Sequence, residues 1–485
     1  MQYKIRRPNW EIEIRRPDYT AKKITYKNVP GWMNTPYLQS SDRVYFVSDP
    51  TKLNGVNIYD DCIGYSYANS ISDPTGEFTL QFVPRLDKDG FSWMDKINKR
   101  DIVFIKEFGK TRYIGVVRTK SYSSQMTEKG PERTITIAGI SLGGIIQTLT
   151  LPMNLYLWDQ SGATSNTIND SLVAALNSEI KEEQNLSKVL SLITDGFYKV
   201  AFSSQELAGT ILWFKEFTEY KTQILKSKYP QIFSVFQVGE NNLWGIYREI
   251  LPSPAYEIIG TFNTDNGIKY QIETREAPFD PSDWKNLKMT IIDPIYLISQ
   301  DISQSDQEVY THYYAQLANS GFSPNENYMR SDINIVSYLD KDKMKIYGYK
   351  QLSVNFKFYK SDDIEFNAKE MLTNTSKKLY EWFHNNDEFY SGTITLNTFE
   401  DDEHKMVDIG EKIKYMSAQF YVEGYKRSAK YGERMTTVLN VTRGYEYDSS
   451  GKQKQEIQKI GTKLYQVEKE TLSGGPSYNK DTAYV

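Results

Sequence analysis

Two distant stretches of the chain share one pattern, and that pattern constrains the fold more than any other feature. The first runs Asp101-Ile102-Val103-Phe104-Ile105, then Tyr113-Ile114-Gly115-Val116-Val117, then Gly130-Pro131-Glu132-Arg133-Thr134-Ile135-Thr136-Ile137-Ala138-Gly139. The second runs Asp408-Ile409-Gly410-Glu411-Lys412-Ile413, then Phe420-Tyr421-Val422-Glu423-Gly424-Tyr425, then Gly432-Glu433-Arg434-Met435-Thr436-Thr437-Val438-Leu439-Asn440-Val441. Each reads as strand, strand, hairpin, strand, because short apolar runs alternate with polar residues and are bounded by turn formers. From Asp101 to Arg133 the spacing is 32 residues, and from Asp408 to Arg434 it is 26. The excess falls mainly in the polar stretch 121–130, read as a loop, where added length costs little. Two such units predict an internally duplicated protein. Gly115 and Gly424 each interrupt apolar strand text, so a bulge or a close approach is expected at both.

The rest of the text alternates between strand and helix. Residues 1–60 are rich in Tyr, Pro, Arg and Lys, with edge-strand pieces at Glu11-Ile12-Glu13-Ile14 and Arg43-Val44-Tyr45-Phe46-Val47. They read as an arm that wraps a neighbouring domain or subunit, and the Arg6-Arg7 and Arg15-Arg16 pairs are diluted by Glu11, Glu13 and Asp18. In 76–84, Phe78, Leu80 and Phe82 share one face. Helical spacing recurs through 171–180, through Leu186, Val189, Leu190 and Ile193 before Gly196, and over 216–228 before Pro230. Ile246-Tyr247-Arg248-Glu249-Ile250 and 268–273 return to strand-like text. Residues 299–308 read as a polar stretch, and 362–386 as a helix with Ala368, Met371, Leu372, Thr375, Leu379 and Phe383 on one face.

Composition narrows the class. With 485 residues the chain should hold about three or four domains. The 58 basic and 62 acidic residues nearly cancel, which disfavours a protein that coats nucleic acid. A single cysteine, Cys62, excludes an internal disulfide framework and reads as buried and structural, since no basic neighbour would activate it. Three histidines, His312, His384 and His404, offer little for metal chemistry. The 37 tyrosines favour strands and broad interfaces. No window approaches the ~18 apolar residues of a membrane helix, so no stable membrane insertion is expected. The most apolar stretch, 135–146, is broken by Thr, Ser and Gly.

Catalytic text is missing. There is no phosphate-binding glycine loop, no Gly-x-Ser-x-Gly elbow and no His-Glu-x-x-His pair. Ser141-Leu142-Gly143-Gly144 reads as a turn. The acid pairs Asp60-Asp61, Asp362-Asp363 and Asp401-Asp402, and the run Glu400-Asp401-Asp402-Glu403-His404, read as solvated turns. No catalytic, cofactor-binding or metal residue is assigned, and no cofactor is expected.

Over residues 60–447 the order of elements resembles the hub proteins of phage tail baseplates and related contractile injection machines. The resemblance is carried by the strand pair around Tyr113-Ile114-Gly115-Val116-Val117 and the closing strand Thr436-Thr437-Val438-Leu439-Asn440-Val441-Thr442-Arg443-Gly444. Pro278-Phe279 through Trp284, Asp301-Ile302-Ser303 and Ser305-Asp306-Gln307-Glu308-Val309-Tyr310 contribute as well. It implies an α+β, mainly β fold: two similar small β-barrels with a helical or mixed insertion between them. The expected divisions are an N-terminal arm (1–60), a first barrel (61–150), the insertion (151–250), a second barrel with a mixed α/β segment (251–447) and a C-terminal extension (448–485). The family implies a homotrimeric ring in the virion tail baseplate, assembled in the host cytoplasm. That ring joins a sixfold tail tube to a threefold central spike, with an axial channel and DNA only as passing cargo. Its partners are itself, the tail tube protein and the central spike protein, with baseplate wedge and tape-measure proteins as further candidates. The competing reading is a carbohydrate-binding or cell-wall-degrading tail-tip protein, in which tyrosines stack on sugars. Trp32, Trp93, Trp158, Trp213, Trp244 and Trp284 are scattered rather than clustered, which favours the hub.

Overall fold

The computed structural model describes residues 10–15, 44–46, 62–71, 73, 75–86, 90–127, 130–148, 218–222, 242–263, 269–317, 335–356, 368–398 and 406–452. Strand alternation governs the N-terminal part. In β1 (Trp10–Arg15), Trp10, Ile12 and Ile14 are buried, and β1 pairs antiparallel with β2 (Val44–Phe46). The strand reading of both pieces holds, but only β2 lies at an edge among the described strands, because β1 is paired on its other side with β5. Then follow β3 (Cys62–Ser70), β4 (Glu77–Phe82), the short helix α1 (Trp93–Lys96), β5 (Ile102–Glu107), β6 (Lys110–Thr127) and β7 (Gly130–Ser141). Phe78, Leu80 and Phe82 turn into the core together, as their period of two requires. The stretch expected as a loop at 121–130 is not one. Residues up to Thr127 stay in β6 and pair with β7, since Ser, Tyr and Thr sustain a ladder as readily as a turn. Ser141-Leu142-Gly143-Gly144 is likewise no turn, because α2 (Leu142–Thr148) begins there and buries Leu142 and Ile146.

The middle of the chain contains two further corrections. Residues 218–222, expected as part of a helix over 216–228, form strand β8 (Thr218–Thr222), whose Thr and Tyr favour extended backbone. The strand expected at 246–250 is a helix, α3 (Leu243–Ile250). Its cap is Asn242, whose side chain accepts from the Gly245 amide at 2.7 Å. Leu243, Ile246, Tyr247 and Ile250 recur at helical spacing and are fully buried, a face that a five-residue window cannot reveal. Strands β9 (Tyr256–Asn263) and β10 (Lys269–Glu276) join β8 in a three-stranded sheet. The helices expected at 171–193 lie outside the described residues.

After α4 (Pro281–Asn286) come β11 (Met289–Ile292) and β12 (Leu297–Ser303), the latter running into the stretch 299–308 read as merely polar. A second three-stranded sheet holds β13 (His312–Leu317), β14 (Ile335–Leu339) and β15 (Gln351–Phe356), with α5 (Lys341–Tyr347) between the last two. Helix α6 (Ala368–Phe383) lies within the predicted 362–386 and buries Leu372 and Leu379 against that sheet. The chain then returns through β16 (Tyr390–Asn397), β17 (Lys412–Tyr415), β18 (Ala418–Lys430) and β19 (Thr436–Tyr445).

The two-barrel expectation needs correction. Among the described residues the duplicated units do not close into separate barrels. They fuse edge to edge into one 13-stranded sheet running β12-β16-β19-β18-β3-β4-β7-β6-β5-β1-β2, with β17 and β11 branching from β18. The reason is a choice of partner. β18 is long enough to pair with β17 through residues 418–421 and with β3 through residues 424–430, so each unit finds its outer partner in the other. The fold is mainly β with separate helices, an α+β arrangement, and no helix among the described residues is long and apolar enough to cross a membrane.

Candidate functional site

The two units match strand for strand. In chain order, β3, β4, β5, β6 and β7 take the spatial order β3-β4-β7-β6-β5; β12, β16, β17, β18 and β19 take β12-β16-β19-β18-β17. Four irregularities match as well, while those at Ile105/Lys106, Tyr390/Gly392 and Gln419/Tyr421 have no counterpart. β3 slips register between Cys62 and Gly64 and β12 between Leu297 and Ser299; β6 slips between Val117 and Thr119 and β18 between Val422 and Gly424. Bulges re-aim a strand, and four of them in corresponding places mark one template used twice.

Backbone hydrogen bonds fix the correspondence residue by residue. Arg100 donates to the Val117 carbonyl at 2.8 Å, and Gly410 to that of Val422 at 2.9 Å. Val117 donates back to Asp101 at 2.9 Å, and Val422 to Glu411 at 3.0 Å. The Asp101 side chain caps the Asn98 amide, and the Glu411 side chain caps the Asp408 amide. The counterpart of Asp101 is thus Glu411, three residues beyond the Asp408 that the sequence pattern selects. Tyr113–Val117 and Phe420–Gly424 do fall on corresponding strands, displaced by two residues.

Gly424 follows the β18 bulge, and at Gly115 a Cβ would meet the Phe78 ring at 2.6 Å, so each glycine has one of the two expected reasons.

A buried polar network occupies the seam between β18 and β3. Arg427, 4% exposed, donates from Nη1 to the Tyr67 hydroxyl at 3.2 Å and from Nη2 to the Val407 carbonyl at 2.6 Å. Its guanidinium lies 4.2 Å from the Tyr425 ring centre. The hydroxyls of Tyr65 and Tyr67 donate to the two oxygens of Glu107 at 2.7 and 3.1 Å. Burial, and after it the Glu107 charge, raises the Tyr65 hydroxyl well above its ordinary range, which keeps it a donor. Burial also raises the carboxyl of Asp408 from its ordinary value. This network orders the joint.

A second cluster fastens the β8–β10 sheet to the second unit. Arg275 bonds Glu257 at 3.0 Å, the Gly410 carbonyl at 2.9 Å and the Tyr421 hydroxyl at 2.7 Å, and that hydroxyl bonds Glu257 at 2.6 Å. Beside it lies a cavity of about 370 Å³ of mixed lining, in which Arg248, Glu257, Glu308, Glu423 and Arg443 meet Phe279, Phe383 and Phe389. Arg443 sits 3.5 Å from the Phe279 ring centre, and burial lowers its pKa to about 10.

Among the described residues no group of three or more His, Cys, Asp or Glu is placed to hold a metal ion. Cys62 is buried, as expected. Trp93, Trp244 and Trp284 are buried rather than displayed, while Trp32, Trp158 and Trp213 lie outside the described residues. The three acid pairs and the run 400–404 lie outside them too. The sequence reading missed the seam residues Tyr65, Tyr67, Glu107 and Arg427. A buried arginine opposite tyrosines leaves no local signature, because the residues are up to 360 positions apart.

Comparison with known proteins adds a set of likenesses. No family model matches the chain, and no curated protein does. Solved structures do match. A tail protein from Neisseria meningitidis MC58 is 10% identical, with a TM-score of 0.43, covering 79% of this chain and 92% of its own. A 43 kDa tail protein of prophage MuSo2 from Shewanella oneidensis is 12% identical, with a TM-score of 0.44 and coverages of 80% and 96%. An Escherichia coli protein described as a component of the type VI secretion system, similar in structure to bacteriophage T4 tail proteins, is 8% identical, with a TM-score of 0.38 and coverages of 81% and 76%.

Proposed function

We propose that this chain is a structural hub of a phage tail or related injection machine, forming a ring that joins a sixfold tube to a threefold spike. The observation that carries the reading is the repetition of strand order, with two pairs of matching bulges, in two units of one chain. A sixfold tube offers six identical contacts, and three chains with two like units each offer six matching ones.

Dimensions support a channel. The continuous run from β12 to β6 contains eight strands, so three chains supply twenty-four. At ~4.8 Å between strands and a tilt of about 40°, twenty-four strands close at a backbone diameter of roughly 45–50 Å. Side chains cannot fill such a ring, whereas they fill one of eight strands. The near-balanced charge suits a lumen through which DNA passes without being held. The chain binds its own copies, the tube protein and the spike protein, and performs no catalysis.

Co-expression with the neighbouring tail genes, followed by light scattering and imaging, tests this. A ring of three chains on the tail axis is expected. A twofold dimer, or a position away from the axis, would refute the reading.

A further inference from the structure

Two of the register shifts that the repeated template does not explain meet at one residue. The β16–β19 ladder passes from Gly392 opposite Val441 to Tyr390 opposite Gly444, and the β18–β19 ladder from Tyr421 opposite Thr442 to Gln419 opposite Tyr445. Arg443 falls inside both shifts. Its φ of 55° lies in the left-handed region that residues other than glycine rarely adopt. Bulges re-aim side chains, and backbone strain of this kind collects where a ligand is held.

Arg443 lines the cavity of about 370 Å³ beside the Arg275 cluster, a volume within the roughly 300–1,000 Å³ of small-molecule sites. Its guanidinium lies 3.5, 4.8 and 5.3 Å from the ring centres of Phe279, Phe383 and Phe389, and the residue is 8% exposed. Nη1 donates to the Trp382 carbonyl at 2.7 Å, whereas Nη2 meets no hydrogen-bond partner. Ring faces hold the charge but leave those N–H groups unsatisfied. Glu308 and Glu423 line the same cavity and are exposed, so they stand on its open side. Thr442 donates to Oε1 of Glu423 at 3.0 Å, and no ion pair within the described residues engages either carboxylate. The third carboxylate, Glu257, is already taken by Arg275 and the Tyr421 hydroxyl.

We propose that this cavity binds a small zwitterion, an amino acid with an apolar side chain, its carboxylate on Arg443 and its ammonium on Glu308 and Glu423. Charge selects the class. A simple anion would meet Arg443 but sit beside two carboxylates, and a simple cation would leave Nη2 of Arg443 unpaired at the buried end. With Glu257 matched by Arg275, the described lining sets Arg248 and Arg443 against Glu308 and Glu423. A molecule carrying both charges keeps that balance and gains a charge-assisted hydrogen bond at each end. Phe279, Phe389 and Pro254 supply the surface for its apolar side chain. The site goes beyond the hub reading, which neither requires it nor supplies it.

Isothermal titration calorimetry on the full chain tests the site. The probes are L-phenylalanine and L-leucine as zwitterions, hydrocinnamate, which lacks the ammonium, and phenethylamine, which lacks the carboxylate. At least one zwitterion should bind saturably, and each half-probe at least tenfold more weakly than L-phenylalanine or L-leucine, whichever binds better. Glu308→Gln with Glu423→Gln should weaken the zwitterion at least tenfold while hydrocinnamate binds as before or more tightly. Arg443→Met should weaken the zwitterion and hydrocinnamate alike. Because Arg443 also packs in the core, the double glutamine variant, changed only at exposed positions, decides the assignment. No saturable binding of either amino acid, a half-probe that binds as tightly, or a double variant with unchanged affinity overturns the proposal. Each of those results leaves the hub reading standing, since the ring is read by light scattering and imaging.

Discussion

Arg427 and Tyr67, 360 positions apart, meet across the seam that fuses the two halves of the sheet, with the guanidinium donating to the hydroxyl at 3.2 Å. Tyr67 passes the contact on to Glu107, so a cation from the second unit is linked through a tyrosine to an anion of the first. The joint is therefore both a β-ladder and a buried polar chain.

Arg427→Leu should cut that chain. It leaves the Val407 carbonyl without this donor and Glu107 without its balancing cation, at a cost of about 2–4 kcal/mol. Urea denaturation measures the loss, and an unchanged midpoint would show that the network does not hold the seam.

Arg100 and Gly410 hold corresponding places with φ of 73° and 74°. At Gly410 a Cβ would also meet the Arg275 guanidinium at 2.6 Å. Gly410→Ala should cost about 1–3 kcal/mol, combining left-handed strain with displacement of Arg275. Arg100→Gly relieves similar strain and adds unfolded-state entropy, so its effect should stay within about 1 kcal/mol. Equal losses from both substitutions would contradict the equivalence.

The carboxyl of Asp408 is raised by burial from its ordinary 3.8. The folded state holds this proton more tightly than the unfolded chain does. The contribution of Asp408 to stability is therefore full below about pH 4 and is lost as pH rises through the raised value. Asp408→Asn escapes that loss, so the variant should gain on the parent between about pH 4 and pH 7.5. Paired denaturation curves at both pH values check this, and a constant difference would rule out the shift. Glu411, also raised by burial, is common to both proteins and largely cancels.

Purified protein should release no sugar or peptide from cell walls and bind no glycan on an array. Release that disappears on changing a single carboxylate would favour the wall-degrading alternative.

Local text by itself determined the strand-rich character, the repeated unit, the burial of Cys62, the strands of the N-terminal segment and the position of α6. Those follow from periods of two and of 3.6 residues, which neighbouring side chains set without knowledge of the rest of the molecule. The same local text misplaced 246–250 and 218–222. Short runs satisfy both periods, and only packing of Leu243, Ile246, Tyr247 and Ile250 into one core, or pairing of β8 with β10, separates them. Tertiary structure alone decided that two units share one sheet instead of closing apart, that Glu411 rather than Asp408 answers Asp101, and that β6 continues to Thr127. A strand's sequence makes its edge available to many partners; which edge meets it is settled by register, bulges and the buried network of Arg427, all built from residues far apart in the chain.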